Sequence, residues 1–260
     1  MHFPTKRLAV ALAASTSIAI SAAAWAQKPA DVAVSAEQRA QIESVIKSYL
    51  LKNPGILREV MVELERTETA AKDAKRTEML AKNKAAIEFD KDTPFIGNPK
   101  GDVVVTEFFD YRCGYCVKVA SVLPELIKRD PNVRVVYKEF PILGPDSLTA
   151  AKAAIAAHRQ APAKYLPFHI ALINSVAIND TTISAAAVTA GLDPAKVLTE
   201  MKSPEVTAIL DKVNSLALDL ELNGTPAFIV GNKILPGAVS VETLLAAVRD
   251  QRNAATKKTG

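Results

Sequence analysis

Val103-Val104-Val105-Thr106-Glu107-Phe108-Phe109, followed by Asp110-Tyr111-Arg112-Cys113-Gly114-Tyr115-Cys116, decides how this chain is read. The first seven residues are almost all β-branched or aromatic, the composition of a buried strand. Cys113 to Lys128 reads as a helix, and Val133 to Phe140, ended by Pro141, as a second strand. Strand, helix and strand in that order predict a parallel β-α-β crossover. The chain's two cysteines stand three positions apart where the strand hands over to the helix. That spacing is about one helical turn, so both sulfurs can reach bonding distance. Cys113 falls at the helix N-terminus, where unpaired N–H groups and the helix dipole favour a thiolate. It is therefore the sulfur expected to attack and to leave in thiol–disulfide exchange. Cys116, one turn inside, is expected to be the shielded resolving thiol.

Other uses of the pair fit less well. A structural disulfide closing so short a loop constrains the unfolded chain little. A metal site needs more ligands than two cysteines. Past the first segment only His158 and His169 remain as imidazoles, both in a helical region where they read as packing residues. No metal ligand set is assigned, and the redox pair Cys113–Cys116 needs no bound cofactor.

Working outward, Pro94, Gly97, Asn98, Pro99 and Gly101 mark turns before the first strand. Helical patterns run from about Ser147 to Leu222, with Asp193-Pro194 and Ser203-Pro204 each placing a cap before a first-turn proline. Ala227 to Val230 and Lys233 to Leu235 flank Gly231-Asn232, a hairpin signal. A last helix follows Ser240 and is expected to end near Arg252, with a frayed tail from Asn253.

Toward the N-terminus, Ser35 and Gln38 have the spacing of a capping box, and Ile42, Val45, Ile46, Tyr49 and Leu50 form an apolar stripe. Asn53-Pro54 reads as the cap of a second helix with its stripe at Ile56, Leu57, Val60, Met61 and Leu64. From Glu65 to Lys84 the sequence is charged and alanine-rich, a solvated helix or linker with little to bury. Short amphipathic helices gain stability mainly from packing, and the long polar stretch after Leu64 separates these two from the rest, so residues 35–64 are expected to associate with copies of themselves, as a dimer or trimer; packing back on the C-terminal domain is the alternative.

Met1 to Ala26 has the features of a secretory signal peptide: Lys6 and Arg7, an uncharged stretch, then Ala24-Trp25-Ala26. The domain reading is therefore 1–26 signal peptide, 27–92 helical oligomerisation stalk and linker, and 93–260 catalytic domain. Export places the mature chain where disulfides form and persist. Of the 260 residues 49% are hydrophobic and 23% charged, which excludes wholesale disorder and a fibrous repeat. A net charge of +4 without a substantial basic run gives no reason to expect nucleic acid as a partner.

With these residues in view, the chain resembles the DsbA-type branch of the thioredoxin superfamily. Glu107-Phe108-Phe109-Asp110-Tyr111 before Cys113-Gly114-Tyr115-Cys116 is similar, as are Gly224-Thr225-Pro226-Ala227-Phe228 and Leu235-Pro236-Gly237-Ala238. The resemblance implies an α/β thioredoxin fold with a helical insertion at about 145–222, preceded here by an all-α extension. Within that family, Gly114-Tyr115 and the N-terminal helices resemble the periplasmic ScsC proteins (suppressor of copper sensitivity), which implies an oligomeric disulfide isomerase. It further implies that Pro226 is a cis-proline facing the cysteines and that the backbone of Thr225 pairs with an extended substrate segment; from sequence alone a trans-proline at a strand start remains open.

Glu107 and Lys138 each interrupt an apolar strand, and adjacent strands are expected to pair them, since a lone buried charge is costly. The resemblance places an acid at position 107, readable as a proton relay beneath Cys116; a surface-facing ion pair is the alternative. Gly114 and Tyr115 would shape the client surface. The partners implied are cysteine-bearing exported proteins and a membrane thiol reductase or oxidase. Two other uses of the same cysteines stay open: donating a disulfide as a dithiol oxidase, and holding Cu(I), a soft metal suited to paired thiolates.

Overall fold

A computed structural model describes residues 34–259; the signal-peptide reading lies outside the described residues. Among these, the chain divides after Leu64 into two units. The first holds α1 (Ala36–Lys52) and the start of α2 (Pro54–Lys82). Ser35 and Gln38 close the expected capping box, and no residue of α1 is buried. Ile42, Val45, Ile46, Tyr49, Leu57, Val60 and Met61 all remain exposed in the single chain. Asn53 does not cap α2 with its side chain. Its Nδ2 donates instead to the Tyr49 carbonyl at 2.8 Å, which also accepts from the Asn53 N–H at the end of α1.

The second unit is built on a five-stranded sheet in the order β1-β3-β2-β4-β5. The strands are β1 (Phe95–Gly97), β2 (Val103–Phe109), β3 (Val133–Glu139), β4 (Ala227–Val230) and β5 (Lys233–Pro236). β2 and β3 pair in parallel, as the β-α-β reading requires, and every residue of both is buried. The other neighbours are antiparallel, including the β4–β5 hairpin. Because side chains alternate along a strand, the central sheet feeds two cores. Val105, Phe109, Val135, Tyr137 and Phe228 pack with Leu123, Leu126 and Leu244 on one face. Phe108, Phe140 and Ile229 pack with Leu80, Ile87, Val213 and Leu216 on the other.

Several boundaries differ from the sequence reading. The helix expected from Cys113 to Lys128 is two, α4 (Gly114–Val119) and α5 (Val122–Arg129). Pro124 has no N–H for the carbonyl of Ala120 and its ring would clash there, so the helix breaks at Ala120-Ser121. The turn-rich stretch before β2 hides the three-residue edge strand β1. Gly97 ends it at φ +80°, and a Cβ there would meet the Val133 carbonyl at 2.5 Å. The segment from Glu65 to Lys84 is helical to Lys82 and does bury a side chain, Leu80, which with Ile87 of the following α3 (Lys84–Glu88) closes the second core.

Between β3 and β4 lie α6 (Pro145–Gln160), a 3-10 turn at Pro162–Lys164, α7 (Tyr165–Ile173), α8 (Asp180–Ala190), α9 (Pro194–Glu200) and α10 (Pro204–Asp219). Asp193 and Ser203 accept from the first-turn N–H groups of α9 and α10, as their sequence predicts. The last helix, α11 (Val241–Thr259), runs past Arg252 instead of fraying. Arg252 grips both Asp102 and Asp130 with nitrogens at 2.6–2.7 Å from their carboxylates, tying α11 to the sheet end.

Candidate active site

β2 ends at Phe109, and its hydrogen-bonded turn delivers Cys113 as the N-cap of α4, in an extended conformation. The Asp110 carboxylate builds this turn. Oδ1 accepts from the Arg112 N–H at 2.7 Å and from the Ser147 hydroxyl at 2.7 Å. Oδ2 accepts from the N–H groups of Ile142 and Leu143 at 2.8 and 3.0 Å. One buried side chain thus bolts the cysteine loop to the loop after β3.

Both cysteines are free thiols. Cys113 is 7% exposed and Cys116 only 1%. The Cys113 thiol donates to the Thr225 carbonyl at 3.2 Å. Thr225 precedes a cis peptide bond to Pro226, so the loop before β4 faces the sulfur pair. The proton affinities of the two sulfurs diverge. Burial raises that of Cys113, but hydrogen bonding with the Thr225 side chain, with the Cys116 N–H and thiol, and with the Tyr115 N–H carries it below the ordinary thiol value. Burial pushes Cys116 far up; the Asp110 backbone opposes this, while Cys113 and Glu107 add to it. Cys113 is thus the more acidic sulfur, and Cys116 a held-back thiol.

Glu107 lies on the face of the sheet that carries Cys116, with Tyr137 and Phe228 as its register partners. Burial, with a smaller contribution from Cys113, raises its carboxyl to about 8, so it is largely protonated at neutral pH. The expected Glu107–Lys138 pair does not form. Lys138 is in register with Phe108, one position off, and so projects to the opposite face. There its Nζ donates to the Thr93 hydroxyl at 2.7 Å and lies 3.6 Å from Asp90. Burial lowers the Lys138 ammonium to about 8 against the pull of Asp90. Gly114 leaves open space where a Cβ would stand, and Tyr115 is 62% exposed beside the pair, with Lys118 Nζ 5.2 Å from its ring centroid.

The sequence reading assigned no role to Asp110 or to a buried polar cluster on the Cys116 face. Glu139, in register with Phe109, accepts from the Tyr165 hydroxyl at 2.9 Å. His169 Nδ1 lies 3.0 Å from the Tyr111 hydroxyl and its ring stacks on Tyr165. Burial holds the Glu139 carboxyl well above the usual range and drops the His169 imidazole to about 3, so the imidazole is neutral near pH 7. Both histidines are packing residues inside the helical region, as read. The signal for Glu139 was available, since it interrupts an apolar strand as Glu107 and Lys138 do.

A strand-end cysteine pair of unequal acidity, capped by a cis-proline loop, can exchange disulfides. A family model described as a DSBA-like thioredoxin domain matches residues 104–249. The chain belongs to the DsbA-like thioredoxin family. A second model, the N-terminal domain of the copper resistance protein ScsC, matches residues 38–71. A comparison with curated proteins found no match. Among solved structures, a thioredoxin-like oxidoreductase from Silicibacter pomeroyi is 43% identical, with a TM-score of 0.62, over 66% of this chain and 98% of that one. A linker-deletion mutant of ScsC from Proteus mirabilis is 26% identical, with a TM-score of 0.65, over 86% of this chain and 99% of that one. The thiol-disulfide exchange protein alpha-DsbA2 of Wolbachia pipientis is 28% identical, with a TM-score of 0.65, over 69% and 97%. The catalytic unit is therefore a DsbA-like thioredoxin domain with helices inserted between β3 and β4, preceded by an ScsC-type N-terminal helical segment.

Proposed function

We propose that this chain is a periplasmic thiol–disulfide oxidoreductase that works chiefly as an oligomeric disulfide isomerase on exported proteins. The observation that carries the reading is the split in acidity between Cys113 and Cys116 beneath the Thr225-Pro226 loop. The Cys113 thiolate attacks one sulfur of a client disulfide; that S–S bond breaks, a Cys113–client bond forms, and the other client sulfur leaves as a thiolate. In isomerisation a second client thiolate attacks the mixed disulfide, restoring the Cys113 thiolate with no net transfer of electrons. If the client stalls, Cys116 attacks the Cys113 sulfur, expels the client thiolate and leaves the Cys113–Cys116 disulfide. Cys116 must first lose its proton, and the ionised fraction of Glu107 takes it. A membrane thiol reductase then restores the pair. Thr225 and Pro226 present backbone to the client, while Gly114 and Tyr115 shape the approach. Lys138 sits on the far face and acts through the position of β3 and not on the sulfurs.

Gly114-Tyr115 offers no histidine to stabilise the Cys113 thiolate, which favours a weaker oxidant and hence isomerisation over dithiol oxidation. The apolar stripe at residues 35–64 supports self-association, which would present several active sites to one client. The cleavage pattern at Ala24-Trp25-Ala26 supports export. The test is refolding of a scrambled disulfide substrate alongside mass measurement in solution. An oligomer that unscrambles, and loses this in Cys113→Ser, upholds the reading; a monomer, or a protein that only oxidises dithiols, overturns the isomerase assignment. Removal of residues 27–64, which keeps Leu80 and Ile87 in the second core, should give a monomer without isomerase activity. The match of residues 38–71 to a copper resistance protein favours one second reading, Cu(I) held between thiolates of neighbouring copies. Stoichiometric copper with no exchange activity would select it.

A further inference from the structure

The groove beside the cysteines has one basic wall. Lys72, Lys75 and Arg76 stand at positions i, i+3 and i+4 of α2, so they share a helix face. With Met79 they line the same open groove, about 1050 Å³, as Tyr115 and the Thr225-Pro226 segment. Among the described residues lining it, Glu221 is the only acid. Lys75 Nζ lies 2.6 Å from Glu221 Oε1, with the two side chains 64% and 60% exposed. Arg76 holds Asp73 on its own helix at 3.0 Å, also in solvent. Exposed pairs of this kind are worth little in water, so an incoming carboxylate can replace Glu221 on Lys75 at small cost. Met79, Leu222 and Ile234 supply an apolar lining between these charges and the cis-proline loop.

Tyr115 is two residues from Cys113, and the Thr225 carbonyl touches the Cys113 sulfur. A segment bonded to Cys113 that runs along the Thr225-Pro226 loop therefore enters this groove. We infer that α2 forms a client-selecting wall, favouring extended segments that carry Asp or Glu within a few residues of the exchanging cysteine. The inference rests on the exchange chemistry proposed above.

The test uses full-length, pre-reduced protein and peptides with one cysteine disulfide-bonded to 2-mercaptoethanol, alike except for Asp, Asn or Lys at the flanking positions. Cys113 attacks the peptide sulfur and mercaptoethanol thiolate leaves. Cys116 then releases the reduced peptide as the protein pair becomes the disulfide. Each exposed charge contact changes the rate by about twofold to fivefold, so wild type should prefer Asp over Lys peptides on the order of tenfold at low salt. That ratio should fall toward one near ~1 M salt, where the Debye length is ~3 Å. In the combined variant Lys72→Gln, Lys75→Gln, Arg76→Gln the ratio, read within the variant, should also approach one. A wild-type ratio near one at low salt, or a ratio that survives the three substitutions, overturns the inference. Wild-type reduction of neutral hydroxyethyl disulfide separates the two levels. If it fails, the proposed exchange function falls; if it proceeds without charge preference, only the basic wall does.

Discussion

Replacing Glu107 by glutamine should stabilise the reduced protein at alkaline pH and slow its chemistry. The carboxyl ionises near 4.5 in the unfolded chain and near 8 in the folded one, chiefly because burial penalises the anion. Between those values the unfolded state binds fewer protons than the folded state, so stability must fall as pH rises, and it levels off above about 8. Each pH unit in this window is worth about 1.4 kcal/mol, so the accumulated loss by about pH 7.5 is as much as ~4 kcal/mol. The glutamine amide keeps the shape of the side chain without its charge. The Glu107→Gln variant should match wild type near pH 4.5 and gain on it steadily to about pH 8, in urea titrations run with reductant. Comparing the two proteins cancels Glu139, whose raised carboxyl tilts stability in the same direction. In stopped-flow exchange, attack by Cys113 should persist while the Cys116 resolution step slows, because no carboxylate is left to take its proton. Parallel stability curves for the two proteins from about pH 5 to 8 would refute the assignment of Glu107 as a buried acid facing the cysteines.

Two further outcomes follow from neighbouring groups. Burial holds the His169 imidazole near 3, whereas the unfolded chain protonates near 6.5, so stability present above pH 6.5 should drain away toward pH 3, by as much as ~5 kcal/mol; urea midpoints at about pH 7, 5 and 4 measure it, and His169→Phe should flatten the curve. Asp110→Ala removes the acceptor for three backbone N–H groups and one hydroxyl, at a cost on the order of 2–4 kcal/mol. It should also alter the pH profile of Cys113 alkylation, because the loop that presents the sulfur comes loose; an unchanged profile would make Asp110 merely structural.

The sheet was legible wherever its signal was local. β2 and β3 are apolar runs of seven residues, and the β4–β5 hairpin announces itself through Gly231-Asn232. β1 was not, because three residues bounded by Pro94 and Gly97 carry no period, and only pairing with β3 makes them a strand. The helical region between β3 and β4 showed its caps plainly at Asp193 and Ser203. Leu80 was missed for the opposite reason: an isolated apolar residue in a charged, alanine-rich stretch forms no stripe, yet with Ile87 just beyond it joins the core of Phe108 and Leu216.

At the site, chain-local chemistry was readable and parity was not. A cysteine pair at a strand–helix junction states its own chemistry, and the cis bond before Pro226 was named through resemblance. The pairing of Glu107 with Lys138 failed on a single register step. Both residues lie in buried neighbouring strands, but Phe108, not Glu107, stands opposite Lys138. In a pleated sheet one step exchanges the faces, so the two charges belong to different cores. The separation has a chemical consequence. With no cation paired to it among the described residues, and burial penalising its anion, Glu107 keeps its proton to about pH 8 and stands as a weak acid facing Cys116. Had Lys138 faced it, the carboxylate would be stabilised as an ion and its affinity for the Cys116 proton lowered. The odd register keeps the cation with Asp90 and Thr93, and so preserves the basicity that the resolving step requires.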